Sequence, residues 1–308
     1  MTTTTATMPT ATSSTMTAPR ALPHSPSHSP SHSPPQPSPQ PQTAPNRLLP
    51  PPPKKRVAFG TIQPQGHRVV LYGPGGIGKT TLASAAPGPV AFIDFDESMP
   101  VLRSQLPDDL DIRLVTGVAN WQDLRTTLSA DGWDDIKTIV IDSVTKAEEF
   151  CGTHVLATVK KDNGQKAERL EDYGFGKQFG YMYDTFLALL GDLDQHVRVG
   201  RNVILIAHDC TTEVPNPNGA NWLRYEPRLQ APASGKNSIR LRVREWADHV
   251  LYFGYDKGDV ADGKMSKGFD SRTLYPVEMP YCMAKSRTCN TAISVGKHDP
   301  AIWSSIIP

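Results

Sequence analysis

From residue 67 onward the chain alternates short, almost wholly apolar runs with segments in which apolar positions recur every three or four residues. Residues 67–72 read as a strand, and 79–86 as a helix stopped at Pro87. The next apolar run, 90–93, turns abruptly acidic through Asp94, Phe95, Asp96 and Glu97. That is the pattern of a buried parallel strand delivering carboxylates to one edge of a sheet. A weaker strand is expected over 112–115, a short amphipathic helix over 121–128 and a strand over 136–143, which carries Asp142 near its end. Helical period resumes over 146–159 and 177–193; in the second, Phe179, Met182, Tyr183, Phe186, Leu189 and Leu190 make one stripe that reads as core. Residues 202–208 form a further buried strand ending on His208.

The remainder is less regular. Residues 209–240 are rich in Pro, Asn and Gly and read as a mobile strand-capturing loop or a hairpin excursion. A helix over 239–246, a strand over 249–254, a turn over 255–272 and further strands over 273–285 follow, and the last residues show no clear period. Strands alternating with helices, with polar residues at strand ends, predict an α/β protein with a doubly wound, mostly parallel sheet and its site along the C-terminal edge.

Composition divides the chain in two. Residues 1–53 consist largely of Thr, Ser, Pro, His and Gln and hold 15 of the 29 prolines, a composition that cannot bury a core. We read 1–56 as a disordered tail and 57–308 as one folded domain. Lys54-Lys55-Arg56-Val57 has the form of a basic linker, with a short import signal as the sharper alternative. Residues 1–56 carry five of the 32 basic residues and none of the 31 acidic ones, so the rest has a formal charge of −4 and no global basic field. Apolar runs fall far short of the roughly 20 residues that span a bilayer, so no membrane role is expected. Cys151, Cys210, Cys282 and Cys289 form no metal-binding pattern and are expected as reduced thiols of a cytoplasmic protein.

The candidate chemistry begins at Gly73-Pro74-Gly75-Gly76-Ile77-Gly78-Lys79-Thr80, the phosphate-loop spacing of glycine, four residues, glycine, lysine and serine or threonine. Glycines let several backbone N–H groups turn inward around a phosphate, and the strand before and helix after set an anion against a helix start. The expected ligand is a nucleoside triphosphate, bound by residues 73–80 and Thr81. Lys79 would lie on the β and γ phosphates, with Thr80 and Asp142 on Mg²⁺. His208 reads either as a reporter of the γ-phosphate or as a solvent-facing histidine. Basic residues are interleaved with aromatics twice: Lys160, Lys161, Lys166, Arg169 and Lys177 with Tyr173 and Phe175, and Arg224, Arg228, Lys236 and Arg240 with Trp222 and Tyr225. Such stretches suit single-stranded nucleic acid, though neither is strongly basic.

Absences narrow the class. The chain has neither the Asn-Lys-x-Asp base reader of GTPases nor the LSGGQ-like signature of transporter ATPases, and Asp142 is followed by Ser143 rather than by a catalytic glutamate. The ordered set GPGGIGKTTLA, AFIDFDES, IVIDSVTKAEEF, EDYGFGKQFGYMYDTF, NVILIAH, EWADHVLYF and MAKSR resembles the phage-encoded AAA-type ATP-binding proteins with a RecA-like core, some of which are single-strand annealing or recombination ATPases. The resemblance covers about 66–290 and implies a three-layer α/β/α sandwich with ATP as the nucleotide. It places the water-orienting acid at Asp96, with Glu97 kept beside it, and a polar switch at His208. It also implies single-stranded DNA after His208, and Lys285 and Arg287 reaching a neighbouring subunit's site in a homo-oligomer. The expectation is a Mg²⁺-dependent ATPase coupled to single-stranded DNA in recombination or replication. The alternatives are an ATP-switched module that recruits a replication or recombination protein, or a small-molecule kinase.

Overall fold

In a computed structural model, which describes residues 56–256, 271–296 and 299–308, the first apolar run forms strand β1 (Arg68–Gly73). β2 (Val90–Asp94), β3 (Ile112–Leu114), β4 (Thr138–Asp142) and β7 (His249–Tyr255) fall where the apolar runs predict them. β5 (Asn202–Val214) begins as expected and runs well past His208. β6 (Trp222–Pro227), β8 (Arg272–Tyr275) and β9 (Ile293–Ser294) complete the set. The sheet runs β3-β2-β4-β5-β1-β7-β8-β9. The first six strands are mutually parallel, and β8 and β9 continue the sheet antiparallel. β5 therefore lies between the phosphate-loop strand β1 and the aspartate-bearing strand β4.

The continuous apolar character of these strands follows from their being covered on both faces. Side chains alternate between the faces with a period of two. Val70, Tyr72, Ile93 and Ile141 join one cluster, while Val69, Leu71, Phe92 and Val140 join the other. The first face is closed by α3 (Trp121–Leu128), α4 (Val144–Thr158), α5 (Lys177–Arg198) and α6 (Ile239–Trp246), through residues such as Trp121, Phe186, Leu193 and Val243. The second is closed by α1 (Lys79–Ser84) and α7 (Ala301–Ile306), through Leu82, Trp303 and Ile306. The result is the expected three-layer α/β/α sandwich, and residues Gly60–Pro308 form one compact unit.

Several boundaries differ from the sequence reading for identifiable reasons. Residues 209–214 pair antiparallel with 222–227, so of the two readings of the segment after His208 the hairpin holds along this stretch. α5 runs to Arg198, beyond the expected 193, because His196 and Val197 are also buried. α7 escapes a periodicity reading because six residues are under two turns; Trp303 fixes it by donating from Nε1 to the Leu82 carbonyl at 2.8 Å. The tail expected over 1–56, with Lys54 and Lys55 of the basic cluster, lies outside the described residues except for Arg56, as does 257–270 of the expected turn. Among the described residues all four cysteines are free thiols. No helix among them is long and apolar enough to cross a membrane.

Candidate nucleotide-binding site

Register sets the site. Gly73, the last residue of β1, lies opposite His208 of β5, and Asp142, the last of β4, lies opposite Asp94 of β2. All four positions therefore meet at the C-terminal edge of the parallel strands. Gly73 is required sterically, since a Cβ there would stand 2.0 Å from the Phe253 carbonyl oxygen. Gly78 sits at φ 105°, where a Cβ would also approach Arg272 Nη1 to 2.7 Å. Gly78 immediately precedes α1, whose first residue is Lys79.

Lys79 is buried, and its Nζ donates to the carbonyls of Gly73 and Pro74 at 2.9 Å each. Burial lowers its pKa from the ordinary lysine value, opposed by the carboxylates of Asp142, Asp209 and Asp96. The next residue, Thr80, donates from Oγ1 to Asp142 Oδ2 at 2.6 Å. Burial pushes the Asp142 carboxyl up to about 6; the Thr80 hydrogen bond opposes this, and Asp94 and Asp96 add to it. Ser98 Oγ stands 3.2 Å from Asp94 Oδ1 and 3.4 Å from Asp142 Oδ2, bridging the two strand-end acids.

The acidic end of β2 differs from its sequence reading. The strand stops at Asp94, whose carboxylate accepts from the backbone N–H groups of Ser98 at 3.2 Å and Met99 at 2.7 Å, turning the chain into α2 (Met99–Leu102). Asp96 and Glu97 thus lie past the strand end, where the chain bends, with Glu97 at φ 53°. Asp96 Oδ2 lies 3.5 Å from His208 Nε2. The His208 backbone N–H in turn donates to Thr145 Oγ1 on α4 at 3.1 Å. Lys79, Thr80, Asp96, Glu97, Asp142 and His208 all line one groove of about 630 Å³ along the phosphate loop.

Lys285 and Arg287 stand elsewhere. Lys285 pairs through its backbone with Val250, near the start of β7, while Arg287 Nε meets Asp248 Oδ1 at 2.8 Å. Both lie toward the opposite edge of the sheet from the chain's own phosphate loop, and the Arg287 side chain is 70% exposed. The basic and aromatic stretches are partly absorbed by the fold. Tyr173 is buried with its hydroxyl on the Val155 and Val159 carbonyls, and Lys177 pairs with Asp162. Arg224 and Arg240 both converge on the buried carboxylate of Glu226. Phe175, Trp222, Arg228 and Lys236 remain exposed.

Sequence reasoning missed Ser98, Thr145, Glu148 and Arg272. Arg272 also lines the groove, donates to the Ile77 carbonyl of the phosphate loop at 2.8 Å and lies over the Phe253 ring. Glu148 accepts from the Gln230 backbone N–H at 2.7 Å, and burial pushes its carboxyl up to about 7. Ser98, Thr145 and Glu148 lie within the stretches AFIDFDES and IVIDSVTKAEEF, which give them no role, and Arg272 lies in none of the family-like stretches; only burial and proximity reveal the four.

A comparison with protein families matches an AAA domain over residues 65–288. The chain belongs to this AAA domain family. The matched span takes in the phosphate loop, Asp142, His208 and the Lys285–Arg287 pair, and membership of an AAA domain family implies ATP binding. No curated protein matches the chain. Among solved structures, the AAA domain is similar to a KaiC-like protein of the hyperthermophilic archaeon Pyrococcus horikoshii OT3, at 17% identity over 76% of this chain and 88% of that one, with a TM-score of 0.42.

Proposed function

We propose that this AAA domain is a Mg²⁺-dependent ATPase whose turnover is coupled to single-stranded DNA. The observation that carries the first half is the Thr80–Asp142 contact at 2.6 Å beside the buried Lys79. A hydroxyl and a crowded carboxylate, both hard oxygen donors, fit Mg²⁺, which needs only one or two protein ligands when phosphates and water supply the rest. Asp142 is buried, the main cause of its raised carboxyl, and the nearby Asp94 and Asp96 add negative charge that a cation would offset. Thr80 and Asp142 would hold the metal, which would supply positive charge against the phosphate oxygens. Lys79 and the loop amides hold the phosphates, and Asp96 orients a water for attack on the γ-phosphorus as the bond to the ADP oxygen breaks. His208, within reach of Asp96, senses whether the γ-phosphate is present.

Support for the DNA half comes from the exposed Trp222 ring, followed in sequence by the exposed Arg228 and Lys236, and from the exposed Phe175 ring, preceded by the exposed Lys166 and Arg169. Stacking on such rings contributes roughly 1–3 kcal/mol per base. The position of Lys285 and Arg287 away from their own groove supports a homo-oligomer in which they complete a neighbour's site. A second reading, an ATP-switched module that recruits a replication or recombination protein, is favoured by β5, which runs unbroken from His208 at the groove into the hairpin.

An ATPase assay with and without single-stranded DNA, with particle size followed by light scattering, separates these readings. Stimulation that is lost at high salt, together with assembly on ATP, supports the motor reading. Slow turnover indifferent to DNA supports the switch. Full activity in Lys79→Ala would overturn both.

A further inference from the structure

Five of the nine tyrosines of the chain surround one cavity of about 440 Å³, separate from the ATP groove and beside the phosphate loop. Tyr225 comes from β6, Tyr252 and Tyr255 from β7, Tyr275 from β8, and Tyr281 from the segment after it. Tyr225 and Tyr252 stack with ring centroids 5.3 Å apart and planes within 9°. Tyr275 continues the stack from Tyr252 at 5.9 Å, and Tyr281 meets Tyr275 edge-on at 5.8 Å. This aggregation is more than core packing requires, because Tyr255 is 48% exposed and Tyr225, Tyr275 and Tyr281 are only partly buried.

Among the described residues that line the cavity the charge is one-sided. Asp256 is the charged residue among the described lining residues, and Asp209 lies close enough to act on the Tyr252 phenol. Burial raises the Tyr252 hydroxyl well above the ordinary tyrosine value and the Tyr281 hydroxyl to about 12, so both phenols stay neutral and the carboxylate sets the field. Aromatic faces with a carboxylate at the rim attract a cation, since the ring quadrupole presents its negative face. They repel a phosphate backbone. A flat guanidinium suits near-parallel ring planes better than a compact ammonium does, because it stacks as well as pairs.

We propose that this tyrosine cavity is a docking pocket for an arginine side chain of a partner protein, with the guanidinium on the ring faces and its N–H groups on the Asp256 carboxylate. The pocket also touches the nucleotide machinery. Pro74 forms part of its wall, and the Pro74 carbonyl accepts from Lys79 Nζ at 2.9 Å. A partner seated there bears directly on the residue that positions the phosphate-binding lysine. This docking role is independent of whether the ATPase is coupled to DNA.

The test titrates an acetylated, amidated tetra-arginine peptide into the full chain by isothermal calorimetry, alongside an oligothymidylate of ten residues. Wild type is compared with Tyr255→Ala, Tyr255→Phe and Asp256→Asn. Saturable peptide binding is expected, weakened about fivefold or more by Tyr255→Ala and by Asp256→Asn and nearly unchanged by Tyr255→Phe, which keeps the ring face. Peptide binding that is absent, or indifferent to all three substitutions, overturns the proposal. So does tighter binding of the oligothymidylate that is lost in Tyr255→Ala and improved in Asp256→Asn, an outcome that makes the cavity a base-stacking site. Thermal melts of the three variants run in parallel; Tyr255→Phe and Asp256→Asn preserve shape and keep the test decisive if Tyr255→Ala melts early.

Discussion

Arg272 of the antiparallel strand β8 grips the phosphate loop at Ile77, with Nη1 donating to the Ile77 carbonyl at 2.8 Å. The same guanidinium lies 5.6 Å from the Phe253 ring centroid and donates from Nη2 to the Gly296 carbonyl at 3.3 Å. One planar group thus ties the loop to β7 and to the C-terminal segment. Arg272→Ala should leave the fold intact and weaken ATP binding about tenfold, the effect of losing a charge-assisted hydrogen bond that shapes the loop. Arg272→Lys should rescue little, since an ammonium cannot serve both carbonyls and the ring. Titration with a fluorescent ATP analogue reads both; wild-type affinity in the alanine variant would remove Arg272 from the site.

The bend after β2 places the two candidate water-orienting carboxylates differently. Asp96 lies 3.5 Å from His208 Nε2 and acts electrostatically on both Lys79 and Asp142, whereas Glu97 is held at φ 53° past the strand end. Asp96→Asn should therefore lower kcat by about 10²-fold while ATP affinity changes little, as expected for loss of a general base. Glu97→Gln should cost less than about threefold by the same reasoning. Steady-state kinetics on both variants check this, and the opposite ranking assigns the role to Glu97.

These two sites mark what the sequence could and could not convey. β1, β4 and the start of β5 were legible because parallel strands covered on both faces are apolar without a break, and the phosphate loop because its spacing is a backbone requirement. The end of β2 was not, because nothing in the residue order says that Asp94 turns back to cap Ser98 and Met99. Arg272 was invisible for a different reason. It reaches the phosphate loop from 195 residues away, and such long-range contacts leave no local period. Arg224 and Arg240 looked available for nucleic acid only because their partner, Glu226, is read as an ordinary strand residue until the hairpin brings the three together.

That neutralisation separates two arginines that look alike in sequence. Arg224 is paired with Glu226 and Glu278 and mostly buried, while Arg228 is exposed. If single-stranded DNA runs along the hairpin, Arg228→Ala should reduce the salt slope of DNA binding by about 0.7, the contribution of one phosphate contact on a single strand. Arg224→Ala should leave the slope unchanged and lower the melting temperature instead, because it uncovers a buried carboxylate. DNA affinity measured at several salt concentrations distinguishes them. Equal slopes in wild type and Arg228→Ala would move the DNA path away from this face.

The opposite edge of the sheet carries a pH dependence. His67 Nδ1 lies 2.9 Å from His249 Nε2, the rings stack at 5.2 Å, and His249 Nδ1 is 2.8 Å from Ser286 Oγ. His249 is fully buried, and burial, with His67, Arg287 and Lys285 adding to it and Asp248 opposing it, pushes its pKa down to about 4. The unfolded chain, with a histidine pKa near 6.5, takes up the proton first as pH falls. The stability that the neutral ring contributes is therefore fully present above about pH 6.5 and lost as pH falls through about 4, a span equivalent to at most about 3.4 kcal/mol. Glu148 acts in the other direction: its carboxyl is raised to about 7, so its burial favours the protonated form and costs stability as pH rises from the ordinary glutamate range toward neutrality. The wild-type curve alone mixes these two with other buried groups, among them Asp142, whose carboxyl is raised to about 6, so the informative quantity is the difference between wild type and His249→Gln. That substitution should lower stability at pH 7.5 and flatten the loss between pH 6.5 and pH 4.5, as followed by urea unfolding at each pH. If both proteins lose stability in parallel across this window, the acid sensitivity of the fold comes from elsewhere than the His67–His249 pair.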